Sequence, residues 1–102
     1  MKYTLYRSFG NLDSQVKKHT LVAVEYGSNI DAVTESLVQD VADDLAETPE
    51  YAGCDTTAYA PEPVRCTRRV KRYQYEMMGA VLPPNAPENI LIDYGITETA
   101  ET

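Results

Sequence analysis

A chain of 102 residues with 43% hydrophobic and 25% charged content has apolar material for one core and no length for a second. That excludes a multi-step enzyme with its own cofactor domain and argues against wholesale disorder. Nine basic against sixteen acidic residues give a net charge of -7, which opposes nucleic-acid binding over a broad face and favours a basic partner.

Residues 2–9 alternate, with Tyr3, Leu5 and Phe9 on one side and Lys2, Thr4, Tyr6 and Ser8 on the other, the period of a half-buried strand that Gly10-Asn11 breaks. The β-branched run His19–Tyr26 predicts a second strand ending at Gly27. Ile30, Val33, Leu37, Val38, Val41, Ala42 and Leu45 then recur at spacings of three and four and predict an amphipathic helix. Ser28 or Asn29 can cap it, Ser28 with Asp31 approximates a capping box, and Pro49 stops it.

Three of the six prolines fall within residues 48–63, which read as an irregular connection with a short strand near 56–59. The strand pattern resumes over 64–82, with Tyr73, Tyr75, Met77 and Val81 on one parity, Gln74 and Glu76 on the other, and Gly79 as a candidate bulge. Pro83-Pro84-Asn85 marks a turn before a last strand over 89–97, in which Ile90, Ile92, Tyr94 and Ile96 point inward and Asp93 and Thr97 outward. The expected fold is α+β: an antiparallel sheet of about four strands with one helix across a face, ββαββ. It forms a single domain over 1–98 with a frayed tail at 99–102.

Chemistry-bearing motifs are few. His19 has no nucleophile or carboxylate arranged around it, and Cys54 and Cys66 lie in no CxxC or catalytic pattern, so reduced, idle thiols are expected. The five glycines stand singly, so no phosphate-cradling loop is present, and one histidine with two cysteines supplies no zinc site. No enzyme, cofactor or metal is expected. Nor is membrane contact: no apolar run approaches the roughly 18 residues of a span, and MKYTLYRSFGNLD lacks a signal core, which predicts a cytoplasmic location.

Charge is the informative feature. From His19 to Pro63 the chain has ten carboxylates and no lysine or arginine, after which Arg65, Arg68, Arg69, Lys71 and Arg72 arrive together. Asp40, Asp43 and Glu47, at i, i+3 and i+7 with Asp44 beside them, form an acidic stripe at the end of the helix where negative charge opposes the macrodipole. Either the cations of 65–72 neutralise this stripe within the fold, or it awaits a basic groove on another protein. Alternation puts Arg65, Arg69 and Lys71 on one side of their strand and Arg68 and Arg72 on the other. Tyr73 and Tyr75 follow directly and are candidates to anchor an interface or stack bases, against a core role for Tyr3, Tyr73 and Tyr94.

In the segment SNIDAVTESLVQDVADDLAE, in size and in acidity, the chain resembles the small accessory proteins of bacteriophages and integrative elements, and among them the anti-CRISPR inhibitors. The resemblance implies binding to a nucleic-acid-guided nuclease, a type II CRISPR effector, at a surface that normally accepts DNA or RNA. The basic run departs from a pure DNA mimic and leaves contact with guide RNA or an acidic effector patch open. The expected function is therefore non-enzymatic inhibition by protein binding. Asp40, Asp43, Asp44 and Glu47 form one contact surface, and Arg68, Arg69, Lys71 and Arg72 with Tyr73 and Tyr75 a second. The alternative is a small nucleic-acid-binding regulator using the basic strand 65–75.

Overall fold

A computed structural model describes residues 1–8, 19–64 and 73–100. Their elements run β1 (Lys2–Ser8), β2 (His19–Tyr26), α1 (Ile30–Glu47), a 3-10 turn (Pro49–Tyr51), β3 (Asp55–Ala58), β4 (Glu62–Pro63), β5 (Tyr75–Leu82) and β6 (Ile90–Thr99). All pairings are antiparallel, in the order β2-β1-β6-β5-β3, with β4 also on β5. The α+β class with one helix is as expected, but the described order is ββαββββ, with six strands instead of four. Both added strands lie in the proline-rich connection: the short strand expected near 56–59 is β3, which pairs with Gly79–Leu82, and β4, which was not expected, pairs with Tyr75 and Glu76, each taking part of one edge of β5. Such short edge strands accept Pro63 and carry no alternation of their own to announce them.

Of the expected strand over 64–82, only Tyr75–Leu82 is strand; 65–72 lie outside the described residues, as do Phe9 and Cys66. Gly79 is no bulge, because the β5–β6 register runs unbroken through Gly79↔Ile92. The irregularity falls instead in the β1–β2 pair, where Leu5 meets Ala23 and Tyr6 meets Leu21. The last strand runs further than expected: β6 reaches Thr99, paired with Lys2, and 101–102 lie outside the described residues.

Helix α1 follows its sequence pattern. Asn29, not Ser28, is the cap, and its side chain accepts the Ala32 N–H at 3.0 Å. Val33, Leu37, Val41 and Leu45 are buried against Tyr3 and Leu5 of β1, Met77 and Val81 of β5, and Tyr94 and Ile96 of β6. Each such aliphatic side chain contributes about 1.5–3 kcal/mol of burial. At the Pro83–Asn85 turn, Ala86 N–H donates to the Pro83 carbonyl at 3.1 Å while Asn85 adopts φ 64°, a left-handed conformation that asparagine tolerates. No described helix is long and apolar enough to cross a membrane.

The sheet therefore has one face under α1 and one facing away. Arg7 shares the inward parity of Tyr3 and Leu5 and reaches the C-terminal end of the helix, where it decides the fate of the acids there.

Candidate functional site

The carboxylates of α1 divide by direction. Asp31, Glu35, Asp43 and Glu47 are exposed and, at multiples of four residues, follow one ridge that winds about 40° round the helix at each step, with Gln39 at its middle position donating from Nε2 to Asp43 Oδ1 at 2.8 Å. Among the described residues no lysine or arginine forms an ion pair with any of the four, and the last helical turn has no basic residue. The sixteen residue steps from Asp31 to Glu47 at about 1.5 Å rise extend about 24 Å, with about 6 Å between successive positions.

Asp40 leaves this line. It is half-buried against Glu25, which occupies β2 opposite Tyr3, and its Oδ2 is enclosed without a hydrogen-bond donor. Burial first, then the charge of Glu25 and a hydrogen bond with it, then Asp43, push the Asp40 carboxyl from 3.8 to about 6, so it keeps its proton into a range where an exposed aspartate is ionised. With its pKa raised, the folded chain holds this proton more tightly than the unfolded chain does. The contribution is therefore most favourable below about 3.8 and is lost as pH rises towards about 6. Asp40→Asn is expected to match the parent near pH 4 and to exceed it by about 1 kcal/mol at pH 7.5, the figure being reduced for solvent screening at a half-exposed site. Urea denaturation across that range checks it; parallel pH profiles for the two proteins would refute the raised Asp40 pKa.

Asp44 turns towards the sheet and is partly buried. Its Oδ2 accepts the Tyr94 hydroxyl at 2.6 Å and lies 3.5 Å from Arg7 Nη1. Arg7 also donates to Thr48 Oγ1 at 2.9 Å and to the Tyr51 hydroxyl at 3.0 Å, and Thr48 Oγ1 donates to the Asp44 carbonyl at 2.7 Å. One guanidinium thus serves the helix C-terminus twice, as a counter-ion and as a cation beside the negative end of the dipole. Burial, then the hydrogen bond to Asp44, hold the Tyr94 hydroxyl far above its ordinary range.

The stripe read from the sequence as Asp40, Asp43 and Glu47 is therefore redrawn. Asp43 and Glu47 remain outward, Asp40 and Asp44 belong to the interior, and Asp31 and Glu35 join the outward line. The relief of repulsion at the helix end comes from Arg7; Arg65, Arg68, Arg69, Lys71 and Arg72 lie outside the described residues. The inward parity of Arg7 between Leu5 and Phe9 was the available signal for it, since a cation on a core-facing strand position requires a partner.

The tyrosines are mostly inside. Tyr73 is 3% exposed, its ring lying over Gly95, where a Cβ would fall 2.5 Å from the ring, and 6.1 Å from the Tyr6 ring centroid. Tyr75 is half-buried on the helix side, 6.4 Å from Tyr3, and its hydroxyl reaches Glu98 at 3.5 Å. Burial, then the neighbouring Glu98, raise the Tyr3 hydroxyl to about 12 and displace Tyr75 in the same direction. Neither ring is an open stacking platform. Cys54 is a half-buried free thiol against the core, and the His19 side chain lies outside the described set.

On the face away from α1, Tyr59, Glu62, Glu76, Met78 and Asp93 border a depression of about 300 Å³. Among the described residues no three histidine, cysteine or carboxylate side chains converge as a metal site. Comparison of the chain with protein-family models, with curated proteins and with solved structures gives no match.

Proposed function

We propose that this chain is a non-enzymatic inhibitor that binds, in fixed stoichiometry, a protein whose basic surface normally accepts nucleic acid, the class of surface a type II CRISPR effector nuclease presents. The observation that carries this reading is the outward line Asp31, Glu35, Asp43 and Glu47, without an ion-pair partner among the described residues. Stability alone does not favour carboxylates in the last turn, where like charges and the helix dipole each cost about 0.3–1 kcal/mol. Carboxylates along a rigid rod, about 6 Å apart within Asp31/Glu35 and Asp43/Glu47 and about 12 Å apart across Gln39, offer a basic groove a series of anions, as a phosphate backbone does. Long-range attraction would speed encounter, and added salt would weaken it.

The test is charge reversal of the outward line alone. With Asp31, Glu35, Asp43 and Glu47 changed to lysine, affinity for a panel of purified type II effector nucleases is expected to fall at least about a hundredfold, and DNA cleavage in the presence of the variant to return. Circular dichroism should show an unchanged fold, and Asp40→Asn should bind as the parent does. Undiminished binding by the reversed variant would refute the helix surface. Tight, salt-sensitive binding of single-stranded RNA or DNA by the free parent chain would replace the proposal with a nucleic-acid-binding role for 65–75.

A further inference from the structure

We propose that a second copy of this chain pairs with the free edge of β2, antiparallel, joining two sheets into one. The sheet order leaves β2 at one end with β1 as its sole strand partner among the described residues, so outward backbone N–H and C=O groups of residues 20–26 are unpaired. This edge is guarded less than the other, by the β1–β2 irregularity at Val22 and the single inward carboxylate Glu25. His19–Tyr26 contains no lysine, arginine, proline or glycine and one carboxylate, Glu25, and it exposes Leu21 (57%) and Tyr26 (64%). The opposite edge is guarded throughout, being divided into strands of four and two residues that carry Asp55, Glu62 and Pro63, with Pro61 between them.

Self-pairing is the occupant that suits these residues. Leu21 lies opposite Tyr6, and Val24 opposite Thr4, so both belong to the face away from α1. A two-fold axis beside Val22 brings Leu21 of each copy next to Val24 of the other, apolar against apolar. It also sets the two Glu25 carboxylates about 17 Å apart, beyond the screening length of physiological salt. A two-fold joining antiparallel edge strands leaves both helices on the same face of the joined sheet, so the dimer presents two outward acidic lines together.

The charge of each copy opposes this contact. Two chains of net charge -7 repel, so added salt strengthens the dimer, opposite in sign to its effect on the basic partner of α1. Sedimentation velocity over a concentration series at low and high salt is expected to show a monomer–dimer equilibrium that shifts towards dimer with salt. Leu21→Lys, at an exposed position, should weaken the dimer about tenfold with an unchanged circular dichroism spectrum, and reversal of the α1 line should leave it intact or tighten it. A parent chain that is monomeric at millimolar concentration in high salt overturns the proposal, as does a dimer indifferent to Leu21→Lys. Neither result touches the helix surface, which is read by partner binding alone.

Discussion

Arg7→Met is expected to destabilise the fold by about 3 kcal/mol in urea denaturation at pH 7, because it removes a cation and leaves its partners where they are. The Arg7 side chain is 15% exposed and that of Asp44 24%, so neither is well served by water once its partner is gone. Methionine restores the aliphatic stem but none of the donors to Thr48, Tyr51 and Asp44. Asp44→Asn should cost less, since the amide oxygen still accepts from Tyr94 and the uncompensated guanidinium keeps two other acceptors. The double variant should lose at least about 1 kcal/mol less than the sum of the singles, as directly coupled groups do. A loss for Arg7→Met within about 0.5 kcal/mol of zero would mean that Arg7 does not hold the helix end. The outward acids depend on this contact, because Asp43 and Glu47 share the turn that Arg7 ties to the sheet.

The second large effect concerns the contact of Leu45 with Gly79. Leu45 is fully buried and its Cδ1 lies 2.8 Å from where a Cβ on Gly79 would stand, so the helix rests on the sheet through a position that has no side chain. Leu45→Ala should cost about 3 kcal/mol from lost burial and the void left over β5, and Gly79→Val about 2 kcal/mol from displacing Leu45. The backbone at Gly79 has an ordinary strand conformation, so the clash alone opposes a side chain there. Combining the two changes should recover at least about 1 kcal/mol relative to their sum, since valine then fills part of the space leucine vacates. Strict additivity in chemical denaturation would show that the helix does not sit on the sheet at this point.

These two contacts also explain which features were legible in the chain. The helix was readable because Val33, Leu37, Val41 and Leu45 repeat with its period, the first strand and the last were readable from alternation, and the second from its β-branched run. β3 and β4 were harder: four and two residues in a proline-rich stretch hold no pattern and exist as strands because β5 offers them an edge. Gly79 reads as a bulge to anyone who cannot see Leu45 above it. The acidic stripe was half legible, for the spacing identified Asp43 and Glu47 but not the rotation of the helix on the sheet. At about 100° per residue Asp40 and Asp44 stand about half a turn from Asp31 and Glu35, so the side on which the helix meets the sheet decides which pair faces out.

By itself the sequence determined the charge and the periodicities: an acidic domain, its one helix, a sheet, and carboxylates concentrated on that helix. These are local properties, set by residue type and by spacings of two and of three to four. The direction each carboxylate takes was decided by tertiary structure alone. Arg7, thirty-seven positions from Asp44 along the chain, turns it inward, because burying a charge requires a partner that only folding supplies, and packing beside Glu25 of β2 takes Asp40 partly out of solvent and raises its pKa.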